Sequence, residues 1–508
     1  YKTLGLDKLL LKGTKKPTVK RKGQASLATV NKAVQTPKLK KNASLAHKIL
    51  KGTYDLLTSV KKAKISYSQN NGTLLQGYKP TVGFLGRDSY NGSMAPTLGF
   101  VFGSQTDILR TAIENGWLVT RAIDDEYFNK SYGETKADKL DYNISVKPLK
   151  NFTLDIRGNR IKTANLTKQL DVIGDYNAQT DSYDNRRENP DIQAFETGNY
   201  SISYSMLGTA FTDSETLYNN FLAYRSVISE RLSKDTGLIN LPGAGFQTSG
   251  QQSMLPAFLA AYSGDNPNSI STGVFKTIPI PNWTLRYNGL MQYKWFKKNF
   301  SSFTVSHGYK SSYTIGNFTN NLQYDSNNDA VPDVNISGNY QPEVLISSAT
   351  LIDEFSPLVR LDMKMRNSFS IKGEIRKDRS LTLNFNNNTL TDIKGTEYIL
   401  GFGYRIRDVK FITRVTGKKQ TLKGDINLRA DISLRDNLTL IRSVDEDNNQ
   451  ITGGEKLFGL KLIADYNLSR SLTASFYYNH NTFEYAISTT FPRQSINAGI
   501  NLVYNLGN

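Results

Sequence analysis

Residues 422–435 read LKGDINLRADISLR. Leu422, Ile426, Leu428, Ala430, Ile432 and Leu434 fall on one parity, and Lys423, Asp425, Asn427, Arg429, Asp431, Ser433 and Arg435 on the other. A period of two places the first set on one face of an extended strand and the second on the opposite face. All five charges share the polar face, although nothing in local propensity requires it. Thirteen residues of strand extend about 43 Å, and a tilt of about 40° leaves a rise of about 33 Å, more than the ~25 Å apolar band of a membrane barrel. Strands of soluble sheets more often have about 5–6 residues. A cation on the lipid face at mid-bilayer costs about 2–4 kcal/mol, a penalty that enforces such segregation.

The same alternation recurs on both sides. Val359, Leu361, Met363 and Met365 alternate with Arg360, Asp362, Lys364 and Arg366. Phe369, Ile371 and Ile375 alternate with Ser370, Lys372, Glu374 and Arg376, and Tyr398 to Ile406 repeat the pattern. Phe458 to Leu468 and Leu472 to Tyr478 flank a short turn, and the chain ends on Ile496, Ala498, Ile500, Leu502 and Tyr504. Upstream, Leu140 to Val146 and Phe152 to Ile156 form a hairpin around Pro148–Asn151. The predicted fold is therefore an all-β transmembrane antiparallel β-barrel with long loops and a few short helices, seated in a bacterial outer membrane. Lys423, Asp425, Asn427, Arg429, Asp431, Arg435, Arg360, Asp362, Lys364 and Arg366 are its candidate lumen-facing residues. Leu422, Ile426, Leu428, Ile432, Leu434, Ile500, Leu502 and Tyr504 are its candidate lipid-facing ones. A mean hydropathy of −0.45 excludes a helical membrane protein but not a barrel, in which alternate residues avoid lipid.

The net charge of +18 is local. Residues 1–64 hold 17 Lys/Arg and 2 Asp/Glu, and the remainder is nearly balanced. No aromatic platform is interleaved with these lysines, so nucleic-acid binding is not expected. The spacing reads as a basic connecting segment over 1–64 with a short helix within 43–60. Residues 65–139 read as a Gly- and aromatic-rich loop region, with a turn at Asn70-Asn71-Gly72 and a helix capped by Asp107 and stopped by Gly116. Residues 140–508 carry the barrel strands, about 14 candidates in all. Within them 161–281 is mostly connection plus a helix at 214–233, where Thr212 and Glu215 have capping-box spacing. A longer polar loop is expected over 443–455, with Gly453-Gly454 as turn material. The chain begins at Tyr1 with no apolar leader, as expected of a processed chain or a piece of a longer one.

Chemistry-bearing motifs are few. With no cysteine there is no disulfide or thiolate metal site. The phosphate-loop, nucleophile-elbow and HExxH patterns are missing, and no catalytic residue or cofactor is expected. Asp325, Asn327, Asp329 and Asp333 have the alternate-position oxygens of a calcium loop. Ala330 stands at the turn glycine and position twelve lacks a Glu, so a polar surface loop is the favoured reading.

Several segments resemble the SprA/Sov family, the outer-membrane translocon of the type IX secretion system of Bacteroidetes. They are NGTLLQGY (71–78), GFVFGSQ (99–105), NGWL (115–118), LPAFLAAYSG (255–264), IPIPNWTLRYNGL (278–290), HGYKSSYTIGNF (307–318), GFGYRIRDVKF (401–411), DINLRADISLRDN (425–437) and STTFP (488–492). Gln76 departs from the family pattern, and residues 1–60 match much less clearly. The resemblance implies the C-terminal portion of a very large barrel that exports folded proteins with C-terminal secretion domains and serves gliding motility. It also implies as partners the N-terminal remainder of the same barrel, a PorV-type barrel, a plug protein, secreted cargo and outer-membrane lipid. A TonB-dependent-like solute transporter, which closes within about 22 strands around a plug, and a soluble all-β adhesin are the alternative readings.

Overall fold

The computed structural model describes residues 59–127, 130–238, 245–326, 331–415, 418–445, 449–467, 472–487 and 490–504. Residues 1–58 of the basic segment expected over 1–64, and nearly all of the helix expected within 43–60, therefore lie outside the described residues, and the segment's last residues, Val60 to Lys64, open a strand.

Among the described residues eighteen strands form: β1 Val60–Leu75, β2 Asp88–Tyr90, β3 Ser93–Ala95, β4 Ser131–Val146, β5 Phe152–Gln169, β6 Val172–Asn177, β7 Ser182–Glu188, β8 Phe195–Ser203 and β9 Asn282–Tyr287; then β10 Phe300–Asn320, β11 Val344–Ile346, β12 Ser348–Met365, β13 Phe369–Asn384, β14 Thr389–Val415, β15 Lys418–Ser443, β16 Asn449–Asn467, β17 Leu472–Tyr485 and β18 Arg493–Tyr504. Helices are α1 Leu98–Val101, α2 Ile108–Glu114, α3 Ser214–Thr236, α4 Gln251–Ser263 and α5 Lys294–Asn299. Fourteen strands make one antiparallel sheet along the path β1-β4-β5-β8-β10-β12-β13-β14-β15-β16-β17-β18, with β9 and β11 alongside β10. The fold class read from the sequence, all-β and antiparallel with long connections and few helices, is the one observed. The expected loop over 443–455 is shorter. β16 starts at Asn449, and Gly453 and Gly454 lie inside it, paired to Thr439 and Leu438 of β15.

One place in the sheet is filled by two strands end to end. β8 pairs with the upper halves of β5 and β10, and β9 with their lower halves. The chain leaves the sheet at Ser203 and re-enters at Asn282. The Ser203 hydroxyl donates to Asn159 Oδ1 (2.7 Å) and accepts from Asn282 Nδ2 (3.2 Å), and Asn282 Oδ1 accepts from the Ser311 amide (2.7 Å), so side chains stitch the gap where one strand gives way to the other.

The excursion between them carries α3 and α4. Every residue of α4 from Ser253 to Tyr262 is buried. A helix apolar all round is a core helix, here packed between α3 and Tyr313, Ile315, Leu351, Leu381, Leu383 and Leu390 of the sheet. Asp213 rather than Thr212 caps α3, accepting from the Thr216 amide at 2.8 Å. Asp213→Ala should loosen the first turn of α3, read as faster amide exchange there with the sheet unchanged. At α2 the expectation is met: Asp107 caps it, and Gly116 beyond its end has φ +67°. The segment 76–127 closes with 170–172 around Trp117, Ile108 and Leu118 as a second small core.

Candidate functional site

The site is the sheet itself, because its two faces differ in kind. Cross-strand register aligns Gly373, Leu400, Ile432, Leu460, His480 and Ile496 in one row. Rows on either side read Ile371-Phe402-Ala430-Leu462-Tyr478-Ala498 and Ile375-Tyr398-Leu434-Phe458. Directly opposed residues point to the same side, so these rows form one face, apolar except for His480. It continues through Val359, Leu361 and Met363 to Leu285 and Tyr287 and on to Ile65 and Tyr67 at the far edge. It is bare: Ile65 and Ile500 are each 71% exposed, Leu502 70% and Tyr504 64%. Soluble monomers rarely expose contiguous apolar patches beyond a few hundred Å².

The next row up is Lys377-Thr396-Asp436-Lys456-Glu484. Here the same face turns from apolar to charged, and here the helical excursion docks. Lys377 Nζ donates to the Ala210 carbonyl (2.6 Å), Arg379 pairs with Asp392 (2.6 Å) and donates to Ser214 Oγ (3.2 Å), and Arg442 pairs with Glu215 (2.8 Å). From Phe458 to Tyr466 the bare band covers eight residue steps, about 27 Å of strand. Aromatic rings gather at its lower limit: Phe152 against Tyr287 (6.2 Å), Phe369 against Phe402 and Tyr404, then Tyr466 and Tyr504.

The opposite face is polar and internally paired. Glu374, its side chain only 2% exposed, takes Arg376 Nε (2.6 Å) and Lys372 Nζ (2.9 Å), and Arg376 reaches on to Glu397 (3.3 Å). Arg435 meets Asp378 (3.1 Å), Arg429 meets Asp465 (2.6 Å), Arg405 meets Asp425, and Arg360 meets Asp362 (2.8 Å). Mixed signs held in pairs within and across strands give a wettable wall with no net affinity for one charge class. None of these pairs is arranged as a nucleophile with its base.

Of the residues singled out from the sequence, Asp425, Asn427, Arg429, Asp431, Arg435, Arg360, Asp362 and Lys364 share this polar face, and Lys423 has their parity at the lower end of β15. Arg366 lies beyond β12 in a turn, where its Nε donates to the Lys297 carbonyl (2.8 Å). Ile426, Leu428, Ile432, Leu434, Ile500, Leu502 and Tyr504 share the bare apolar face; the side chain of Leu422 lies outside the described ones. Asn327 and Asp329 also lie outside the described residues. Asp333 is engaged locally, accepting from the Ser326 amide at 2.9 Å, and no cluster of metal-binding side chains occurs among the described residues. The charges Asp378, Glu397 and Asp465 were not singled out. Their alternation was visible, but their role as partners depends on a register that one strand's sequence does not state.

No protein-family model matches the chain, and no curated protein matches it. Among solved structures the chain is similar to the ferric-catecholate import receptor Fiu from E. coli K12 in its closed form, at 10% identity over 84% of this chain and 56% of that one, with a TM-score of 0.23. It is also similar to the RagAB peptide transporter, at 11% identity over 72% of this chain and 37% of that one, with a TM-score of 0.24. The chain thus spans just over half the length of the first and less than half of the second.

Proposed function

We propose that this sheet is part of the wall of an outer-membrane barrel, with the bare apolar band in lipid and the ion-paired face lining an aqueous passage for proteins. The observation that carries this is the register itself: one face stays predominantly apolar from β1 to β18 over about 27 Å of strand, which at a tilt of about 40° rises about 21 Å, most of the ~25 Å of a barrel's lipid-facing band. The turns 147–151 and 366–368 lie at one end and the long connections from β1 to β4, from β5 to β8 and from β10 to β11 leave from the other, the pattern of short periplasmic turns and long outer loops. Among the described residues β1 and β18 each pair on one side only. Edge amides and carbonyls have no water partner in lipid, so the wall closes through further pairing, and the passage is correspondingly wide.

With the segment resemblances, this supports a protein-conducting translocon of the type IX kind, working with a PorV-type barrel and a plug protein on folded cargo. It is tested by depleting the protein in the cell that makes it. Proteins bearing C-terminal secretion domains should then accumulate folded in the periplasm and leave the cell surface. Unchanged secretion with loss of uptake of a small solute would overturn the reading in favour of a solute transporter.

A further inference from the structure

The strand-to-strand connection 288–299 differs from the other basal turns. It is longer, it carries α5, and it projects Tyr293 and Trp295 into solvent at 63% and 62% exposure. Isolated exposed aromatics need no explanation, but these are continuous with the apolar band. Trp295 packs on Phe300 (5.8 Å) and Phe296 (5.0 Å), and Phe296 on Phe303 (5.0 Å), which lies on the bare face opposite Met363. Lys294, Lys297 and Lys298 follow in the same turn of chain, and no Asp or Glu stands anywhere between Asp265 and Asp325. Among the described residues no hydrogen bond or ion pair uses these three ammonium groups. The segment is nevertheless fixed. Arg366 donates its amide to the Asn299 carbonyl (3.3 Å) and its Nε to that of Lys297 (2.8 Å), while the Asn288 amide binds the Asn151 carbonyl (3.0 Å). That last bond sets the segment beside the turn 147–151, which adds Lys147 and Lys150 and an exposed Leu149. Two of the connections at the other end have the opposite balance: 170–194 and 321–343 hold ten Asp/Glu against two Arg, while 76–130 is nearly neutral with six Asp/Glu and five Lys/Arg.

We infer that residues 293–298 form an interfacial anchor that grips anionic phospholipid headgroups of the leaflet at the short-turn end. The rings of Tyr293 and Trp295 sit at headgroup level, where one end of such a side chain is apolar and the other wet. The lysine stems lie along the apolar surface while the ammonium groups reach the phosphates. This rests on the membrane-spanning reading. A leaflet rather than a soluble anion is the partner, because rings and ammonium groups are presented together at the rim of the band.

The test is lipid selectivity of the full chain in nanodiscs of phosphatidylcholine containing phosphatidylglycerol as a minor component. Either lipid carries brominated acyl chains in turn, and the Trp295 signal is taken as the difference between wild type and Trp295→Phe. Brominated phosphatidylglycerol should quench that signal well beyond its bulk share, with local enrichment of about tenfold that falls as salt is added. The exposed triple variant K294Q/K297Q/K298Q should insert normally and lose the enrichment. Equal quenching by the two lipids, or enrichment that survives the triple variant, would each overturn the anchor while leaving the membrane reading intact. A protein that neither inserts nor shows quenching of any tryptophan would overturn both.

Discussion

Ile432→Arg is expected to abolish assembly into the membrane, whereas Ser433→Arg is expected to assemble. Ile432 lies in the middle row of the apolar face, flanked by Leu400 and Leu460, two rows from the lower aromatics and two from the charged row of Asp436. An arginine there stands near the middle of the bilayer and costs about 2–4 kcal/mol. Snorkelling gives little relief, because neither interface is within one side chain's reach. Ser433 is its chain neighbour but points to the other face, between Ile399 and Gly459 and within the same strand as Asp431 and Arg435. An arginine at that position enters the ion-paired wall, beside a glycine that leaves room. The pair is read by resistance to unfolding in detergent at low temperature and by recovery in the outer-membrane fraction. Equal behaviour of the two variants would refute the division of the sheet into lipid and water faces.

That division was legible because it depends only on parity within a strand, and β12 to β18 keep parity over long stretches. Asp107 was legible as a cap because the signal is local. β1 was not. The run VKKAKISYSQNNGTLL has apolar Ala63, Ile65 and Tyr67 on one parity, but Asn70-Asn71-Gly72 has the composition of a turn. In the structure those three residues continue the ladder opposite Ala137, Lys136 and Thr135. The pairing partner is some sixty residues away, and its hydrogen bonds outweigh a local preference worth well under 1 kcal/mol per residue. For the same reason β4 begins at Ser131, nine residues before its alternation becomes regular. The shared place of β8 and β9 was invisible for a topological reason: two short strands nearly eighty residues apart complete one another only after β5 and β10 are in position. α4 gave no period because it is covered on all sides, and Pro256 stands in its first turns. The charged face yielded its members but not its pairs. Glu374 with Arg376 lies within one strand, whereas Arg435 with Asp378 crosses two.

Asp171→Asn should cost about 3–5 kcal/mol of local stability, the penalty of leaving a buried charge without its partner. Arg121 and Asp171 are among the most enclosed ion pairs of the molecule, with side-chain exposures of 2% and 0%. Two guanidinium nitrogens donate to the carboxylate at 2.8 and 2.6 Å, and the third donates to the carbonyls of Ala122, Ile123 and Asp125. Asn189 Nδ2 donates to Asp171 at 2.8 Å. Three segments far apart in sequence are thereby fastened at the long-loop end of the sheet: 117–125, 171–174 and 189. The Arg121 guanidinium holds the Asp171 carboxyl below the usual carboxylate range. A depressed folded-state pKa contributes stability that is fully present above the unfolded value near 3.9 and is lost as pH falls through the folded one. The pair should therefore be indifferent to pH across the neutral range and should fail only in strong acid. Asp171→Asn should remove that acid transition, because an amide does not titrate. None of the sheet ladder passes through these residues, so the loss should be confined. Amide exchange and proteolytic cleavage should rise in 76–127 and 170–194 while β10 to β18 keep their protection. Uniform loosening of the whole sheet would mean that this small core supports the wall rather than resting on it, and wild-type protection in the variant would mean that the pair contributes nothing.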